Sequence, residues 1–202
     1  MMKTFLAAAA LATLGSAVSA ETINFDDLND GQTITGDDFS GVTFSAGGDD
    51  LLVADLVSRA NLNGLTIPTG FSLSNAVESD PFTNSNPFTG VFSISGVRSV
   101  SVGMGDFGSD ADNLFLTAFD GDGNEIASDA ETLGGGQFAF LTLSIAASID
   151  IASVSFGSSG QFDNSVFFDD FTFNTTAVPL PAGLPLLLAG LAVFGIAGRK
   201  RG

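Results

Sequence analysis

The sequence predicts an all-β protein: a two-sheet β-sandwich, jelly-roll or immunoglobulin-like, with an N-terminal signal peptide and a C-terminal single transmembrane helix. Three observations predict it. Between residues 21 and 177, short runs rich in Val, Ile and Phe are punctuated by Gly, Ser, Thr, Asn and Asp, the pattern of strands and turns. Good helix formers such as Lys, Arg, Glu and Gln are scarce in that stretch. Each end of the chain carries an apolar run unlike anything in the middle.

Met1–Ala20 reads MMKTFLAAAALATLGSAVSA. One positive charge, Lys3, precedes an apolar run from Phe5 to Leu14, and a small-residue exit, Val18-Ser19-Ala20, precedes Glu21. That is the build of a secretory signal peptide, with cleavage expected between Ala20 and Glu21. The run is too short to span a bilayer. Its reader is the Sec translocon.

The expected strands of the middle segment, 21–177, are Thr22–Phe25, Val42–Ala46, Gly90–Ser95, Ser99–Met104, Leu114–Phe119, Phe138–Ile145, Ile149–Phe156 and Val166–Phe173. Leu51–Leu62 fits a strand or one helical face. Asn63–Thr89, with Pro68, Pro81 and Pro87, reads as loop with one strand near Phe71–Leu73. Alternation sharpens two assignments. Val100, Val102 and Met104 share one face of their strand, and Ala139, Leu141, Leu143 and Ile145 share one face of theirs. No constant-period repeat is present, which argues against a solenoid or propeller.

Charge and composition narrow the function. All 23 acidic residues lie in the middle segment with only Arg59 and Arg98, so that segment carries 2 − 23 = −21. Such a surface repels nucleic acid and favours cations; no nucleic-acid partner is expected. The chain holds no Cys, His, Trp or Tyr. Thiol nucleophiles, imidazole bases and zinc-finger ligand sets therefore have nothing to work with. No Gly-x-Ser-x-Gly elbow occurs, and the acids are too many to nominate a glycosidase pair. A non-enzymatic protein is expected.

Four acids stand out. Continued alternation in Ile23-Asn24-Phe25-Asp26-Asp27 places Asp27 on the face of Ile23 and Phe25. In Phe167-Phe168-Asp169-Asp170-Phe171-Thr172-Phe173 it places Asp169 on the face of Phe167, Phe171 and Phe173. A carboxylate on an apolar face is costly unless paired or metal-bound. Should the first and last strands be neighbours, Asp26 or Asp27 and Asp169 or Asp170 can share one Ca²⁺ through hard oxygen ligands. The alternative is that each pair ends a strand and meets water. Asp120-Gly121-Asp122-Gly123-Asn124-Glu125 with Ser128 and Glu131 matches the oxygen spacing of an EF-hand loop. It lacks that loop's central Gly and flanking helices, so a hairpin turn is the stronger reading. Asp106, Asp110 and Asp112 read as a solvated loop, and so does Asp49-Asp50.

The last segment, 178–202, has three parts: Val178-Pro179-Leu180-Pro181-Ala182, the apolar run Leu184–Gly198 of 15 residues, and Arg199-Lys200-Arg201. An apolar run without polar interruption suits a membrane, and the basic stop suits its cytoplasmic side. The tripartite pattern resembles the PEP-CTERM class of C-terminal sorting signals, in its VPLPA variant, on exported proteins of Gram-negative bacteria. The resemblance implies an inner-membrane anchor through Leu184–Gly198 until an exosortase-like transpeptidase processes the tail near the proline motif. The implied destination is the cell surface or extracellular matrix. The middle segment is similar, more loosely, to the β-sandwich domains that such tails accompany. A Ca²⁺-dependent carbohydrate-binding module, with extracellular polysaccharide as partner, is the competing expectation to a structural or adhesive surface protein.

Overall fold

The computed structural model describes residues 19–34, 39, 41–47, 51–55, 71–74, 86–106, 110–135, 139–160 and 166–176. They lie in one compact unit, Val18–Thr176. The expected transmembrane run Leu184–Gly198 and sorting motif Val178–Ala182 lie outside the described residues. No helix among the described residues is long and apolar enough to cross a membrane.

The fold is all-β and sandwich-like. Its strands are β1 (Ser19–Ile23), β2 (Thr33–Ile34), β3 (Val42–Ser45), β4 (Leu51–Asp55), β5 (Phe71–Ser74), β6 (Phe88–Phe92), β7 (Val97–Asp106), β8 (Asp112–Phe119), β9 (Glu125–Leu133), β10 (Ala139–Ala146), β11 (Ser153–Gly160) and β12 (Phe167–Thr175). The larger sheet runs β10-β7-β12-β5-β4-β2, with β1 also paired to β12; the smaller runs β3-β6-β11-β8-β9. Every pairing is antiparallel.

Both alternation readings hold. Val100, Val102 and Met104 are buried between the sheets, as are Leu143 and Ile145, with Ala139 and Leu141 packed beside them. The ambiguous segment resolves in its first half to strand β4; residues 56–62 are outside the described set. Several strands depart from expectation, β1 among them, which runs Ser19–Ile23 where Thr22–Phe25 was expected. The run expected at Gly90–Ser95 begins at Phe88 and ends at Phe92, because Ser93–Ser95 bend away. The run expected from Ile149 begins only at Ser153.

The core is a lattice of phenylalanines. Phe168 meets four rings, with centroids 5.5 Å from Phe25, 5.5 Å from Phe44, 4.7 Å from Phe88 and 4.9 Å from Phe156. Phe171 meets Phe44 at 4.9 Å. Most are edge-on contacts, the geometry the ring quadrupole favours.

A bulge in β12 admits both Phe168 and Phe171 to that core. Asp169 opposes Gly103 and Thr172 opposes Ser101, so two residues, Asp170 and Phe171, face the single Val102. Asp170 takes the extra place with φ 49°. One inserted residue inverts the parity of everything beyond it. This corrects the alternation read from the sequence. Phe171 and Phe173 lie in the main core with Phe168, whereas Asp169 shares the opposite face with Phe167, in a separate small cluster with Ala54 and Phe140.

The end of β12 is clasped. Thr176 N–H donates to the Gly96 carbonyl at 2.9 Å, and Gly96 N–H donates to Asp150 at 3.2 Å. Asp150 also pairs with Arg98 at 2.9 Å. Gly96 has φ 84°, and a Cβ there would lie 2.9 Å from the Thr176 carbonyl oxygen. Only glycine fits this approach.

Candidate functional site

The site forms where β12 changes neighbours. Along one edge, Phe171–Thr175 pair with β1 and Phe167–Phe168 pair with β5. Asp169 and Asp170 occupy the seam between those pairings. The first and last strands are therefore neighbours, the condition under which the sequence linked its two acid pairs. β1 ends at Ile23, Phe25 turns into the core, and Leu28 N–H closes a turn onto the Phe25 carbonyl at 3.0 Å. Asp26 and Asp27 sit exposed in that turn. Asp27 thus does not share the buried face of Ile23 and Phe25, because the strand has already ended.

The four acids differ in character. Asp169 is buried, 7% exposed, and accepts the Asp170 N–H at 2.8 Å. Asp170 is exposed. Burial pushes the Asp169 carboxyl up to about 7; the bond from Asp170 N–H opposes this, and the charges of Asp170 and Asp26 add to it. The Asp26 charge thus reaches Asp169 across the seam. Asp27 is not among the groups that shift Asp169.

A cation at this seam would draw oxygen ligands from Asp169 and Asp26, with carbonyls and water completing six or more. Among the described residues no group of three or more carboxylates converges as a metal-ligating set. The chemistry on offer is that of a buried acid beside an exposed one. Burial favours the protonated form of Asp169.

The other acidic candidates separate clearly. Asp120 closes the β8–β9 hairpin: its carboxylate accepts from the N–H groups of Asp122 and Asn124, both at 2.9 Å, and from the Asn124 amide at 3.0 Å. Gly123, φ 83°, supplies the left-handed position. Glu131 stands well along β9, paired to Leu114, so the EF-hand spacing is never folded into a loop. Asp49-Asp50 lies outside the described residues. The solvated-loop reading is corrected for Asp112, which opens β8 on the core side and is 1% exposed. The signal was present, since Asp112, Leu114, Leu116 and Ala118 share one parity.

Ala20 and Glu21, flanking the expected signal-peptide cut, both lie in β1, opposite Asn174 and Phe173. Strand β9, Glu125–Leu133, was missed as a run. Asp129 on it accepts the Ser144 N–H at 2.8 Å, which ties the edge strands of the two sheets together.

No protein-family model matches the chain, and no curated protein sequence matches it. Among solved structures, the K2 cleaved adhesin domain of Lys-gingipain is similar at 13% identity and TM-score 0.47, over 77% of this chain and 99% of that one. The xylan-binding domain from CBM 22 is similar at 15% identity and TM-score 0.40, over 77% and 99%. TmCBM61, in complex with β-1,4-galactotriose, is similar at 18% identity and TM-score 0.39, over 67% and 88%. At such identities and scores the likeness assigns neither ligand nor activity.

Proposed function

We propose that this protein is an exported, non-catalytic β-sandwich displayed at the cell surface or in the extracellular matrix. Segment 178–202 tethers it to the membrane until an exosortase-like transpeptidase processes the tail. One observation carries the reading: the sandwich is closed by pairing its first and last strands, and β12 ends at Thr175, with only Thr176 and Ala177 before Val178. The expected N-terminal cut falls within β1, after Ala20, and the proline motif follows β12 by two residues, so both lie at the ends of the paired first and last strands. Mass spectrometry of the mature protein tests this. The expected species begins at Glu21 and lacks Arg199–Gly202; a surface form that retains that basic terminus sinks the sorting reading.

A second reading, a Ca²⁺-dependent carbohydrate-binding module, is favoured by the placement of buried Asp169 within reach of the Asp26 charge. An ion held there binds the native state alone and must stabilise it. Titrating Ca²⁺ into the protein at pH 8 should raise its melting temperature, and chelator should reverse the rise. An unmoved melting temperature removes the metal.

A further inference from the structure

The outer face of the smaller sheet is unlike the rest of this acidic molecule. One register row crosses all five strands as Ser45, Thr89, Ser155, Thr117 and Ser128, every one a hydroxyl residue that is exposed or half-buried. In the neighbouring row Val91, 49% exposed, opposes Ser153, which opposes Phe119. Phe115 stands on the same face of β8, and neither ring joins the core clusters. The charge these rows carry is Glu125, at the edge. A segment with net charge −21 has thus kept one five-stranded face almost neutral.

We propose that this face binds a neutral, extended polysaccharide lying along β8. The face is about 19 Å wide, from four interstrand steps of ~4.8 Å, and Phe115 and Phe119 stand about 14 Å apart along the strand. Each ring offers an apolar platform for the C–H face of a pyranose, and the Ser and Thr hydroxyls donate to and accept from sugar hydroxyls. Charge selects the partner. An anionic polymer is repelled by the acids that surround the face, whereas a neutral one is not. A second copy of the chain is the poorer occupant. Ser is depleted in protein interfaces, and two such acidic domains repel one another. The assignment rests on the carbohydrate-binding part of the second reading and gives it a surface and a ligand class, while departing from its Ca²⁺ dependence. It requires neither Ca²⁺ nor tail processing.

The test uses the full chain in mild detergent, mixed with cellulose, insoluble xylan or curdlan, with carboxymethyl-cellulose beads as the charged counterpart. Retention is expected on at least one neutral polymer, unchanged by chelator or by NaCl, and absent on the beads. Thr117→Glu, which places a charge in the middle of the hydroxyl row, should weaken binding about tenfold or more, as should Phe119→Ala. Phe119→Ala alone carries the test if Thr117→Glu does not fold. Retention by a neutral polymer that both folded variants keep overturns the face while leaving carbohydrate binding standing. No retention on any neutral polymer overturns both. Sedimentation showing a dimer that Thr117→Glu dissociates gives the face to a second copy and likewise overturns the proposal.

Discussion

Asp120 and Asp169 are each an aspartate whose carboxylate accepts a backbone N–H at 2.8–2.9 Å, and their acidities move in opposite directions. Asp120 caps an open hairpin turn, and its bonds to Asn124, first from the side-chain amide, hold its pKa below the usual carboxylate value. Asp169 sits in the β12 seam, where burial outweighs its bond and drives the pKa up to about 7. Like bonds, unlike solvation: the second decides. One aspartate stabilises the fold through its charge, and the other tolerates the fold by giving its charge up.

The sharpest break in that comparison is to remove the device that puts Asp169 in the seam. Deleting Asp170 erases the bulge. Register with β7 is then restored only by turning Phe171 and Phe173 away from the core, or by turning Phe168 away instead. A fully buried Phe lost from a core costs about 3–5 kcal/mol, so the deletion should cost at least about 3 kcal/mol or prevent folding. Urea unfolding of the full chain in detergent measures it. A loss below about 1 kcal/mol would show that the bulge is incidental. Asp170→Gly, which suits φ 49°, should be neutral or slightly stabilising.

The next test acts on Asp169 itself. Its folded pKa lies above the unfolded value of 3.8, so between those values the folded state binds more protons than the unfolded one. Stability from this group is complete below about 4 and falls as pH rises through about 7. Asp169→Asn keeps an acceptor for Asp170 N–H and removes the titration. The variant should match the wild type near pH 4 and exceed it at pH 8 by a few kcal/mol, with a flatter profile between. Under the Ca²⁺ reading, added Ca²⁺ should rescue the wild type at pH 8 and leave the variant unmoved. A variant less stable than the wild type at pH 8 in chelator would show that Asp169 carries a favourable charge after all.

How far these sites were legible follows from where the information lies. The strands with strict alternation, β7 and β10, were readable because burial on one face repeats every second residue. The pairing of β1 with β12 entered as a condition, because no local pattern specifies a neighbour 150 residues away. Strand β9, EIASDAETL, hid because most of its residues, Ile126 and Thr132 apart, are not strand formers; the Asp-Gly hairpin and its partner β8 impose the conformation. The bulge hid for a subtler reason. Phe167 and Phe168 occupy both parities, so Phe171 and Phe173 fit either register, and the choice falls to packing against Phe25, Phe44, Phe88 and Phe156 from elsewhere in the chain. Asp27 was misplaced for the converse reason, since alternation was carried past Ile23, where the strand stops.

The smallest expected effect completes the comparison by applying the same substitution to the other aspartate. Asp120→Asn retains an oxygen acceptor but removes the charge that the Asp122, Gly123 and Asn124 N–H groups favour. Asp120 is fully exposed, so solvent screens the change and the loss at neutral pH should be slight. Its sign is the opposite of the change at Asp169. A lowered pKa contributes stability above 3.8 and loses it as pH falls through the folded value, so wild type and variant should converge in acid. Measured side by side at pH 8, Asp120→Asn should destabilise and Asp169→Asn should stabilise. Should both destabilise, the seam is not the desolvated environment its geometry describes, and Asp169 would be paired with a cation or a donor strong enough to keep it ionised.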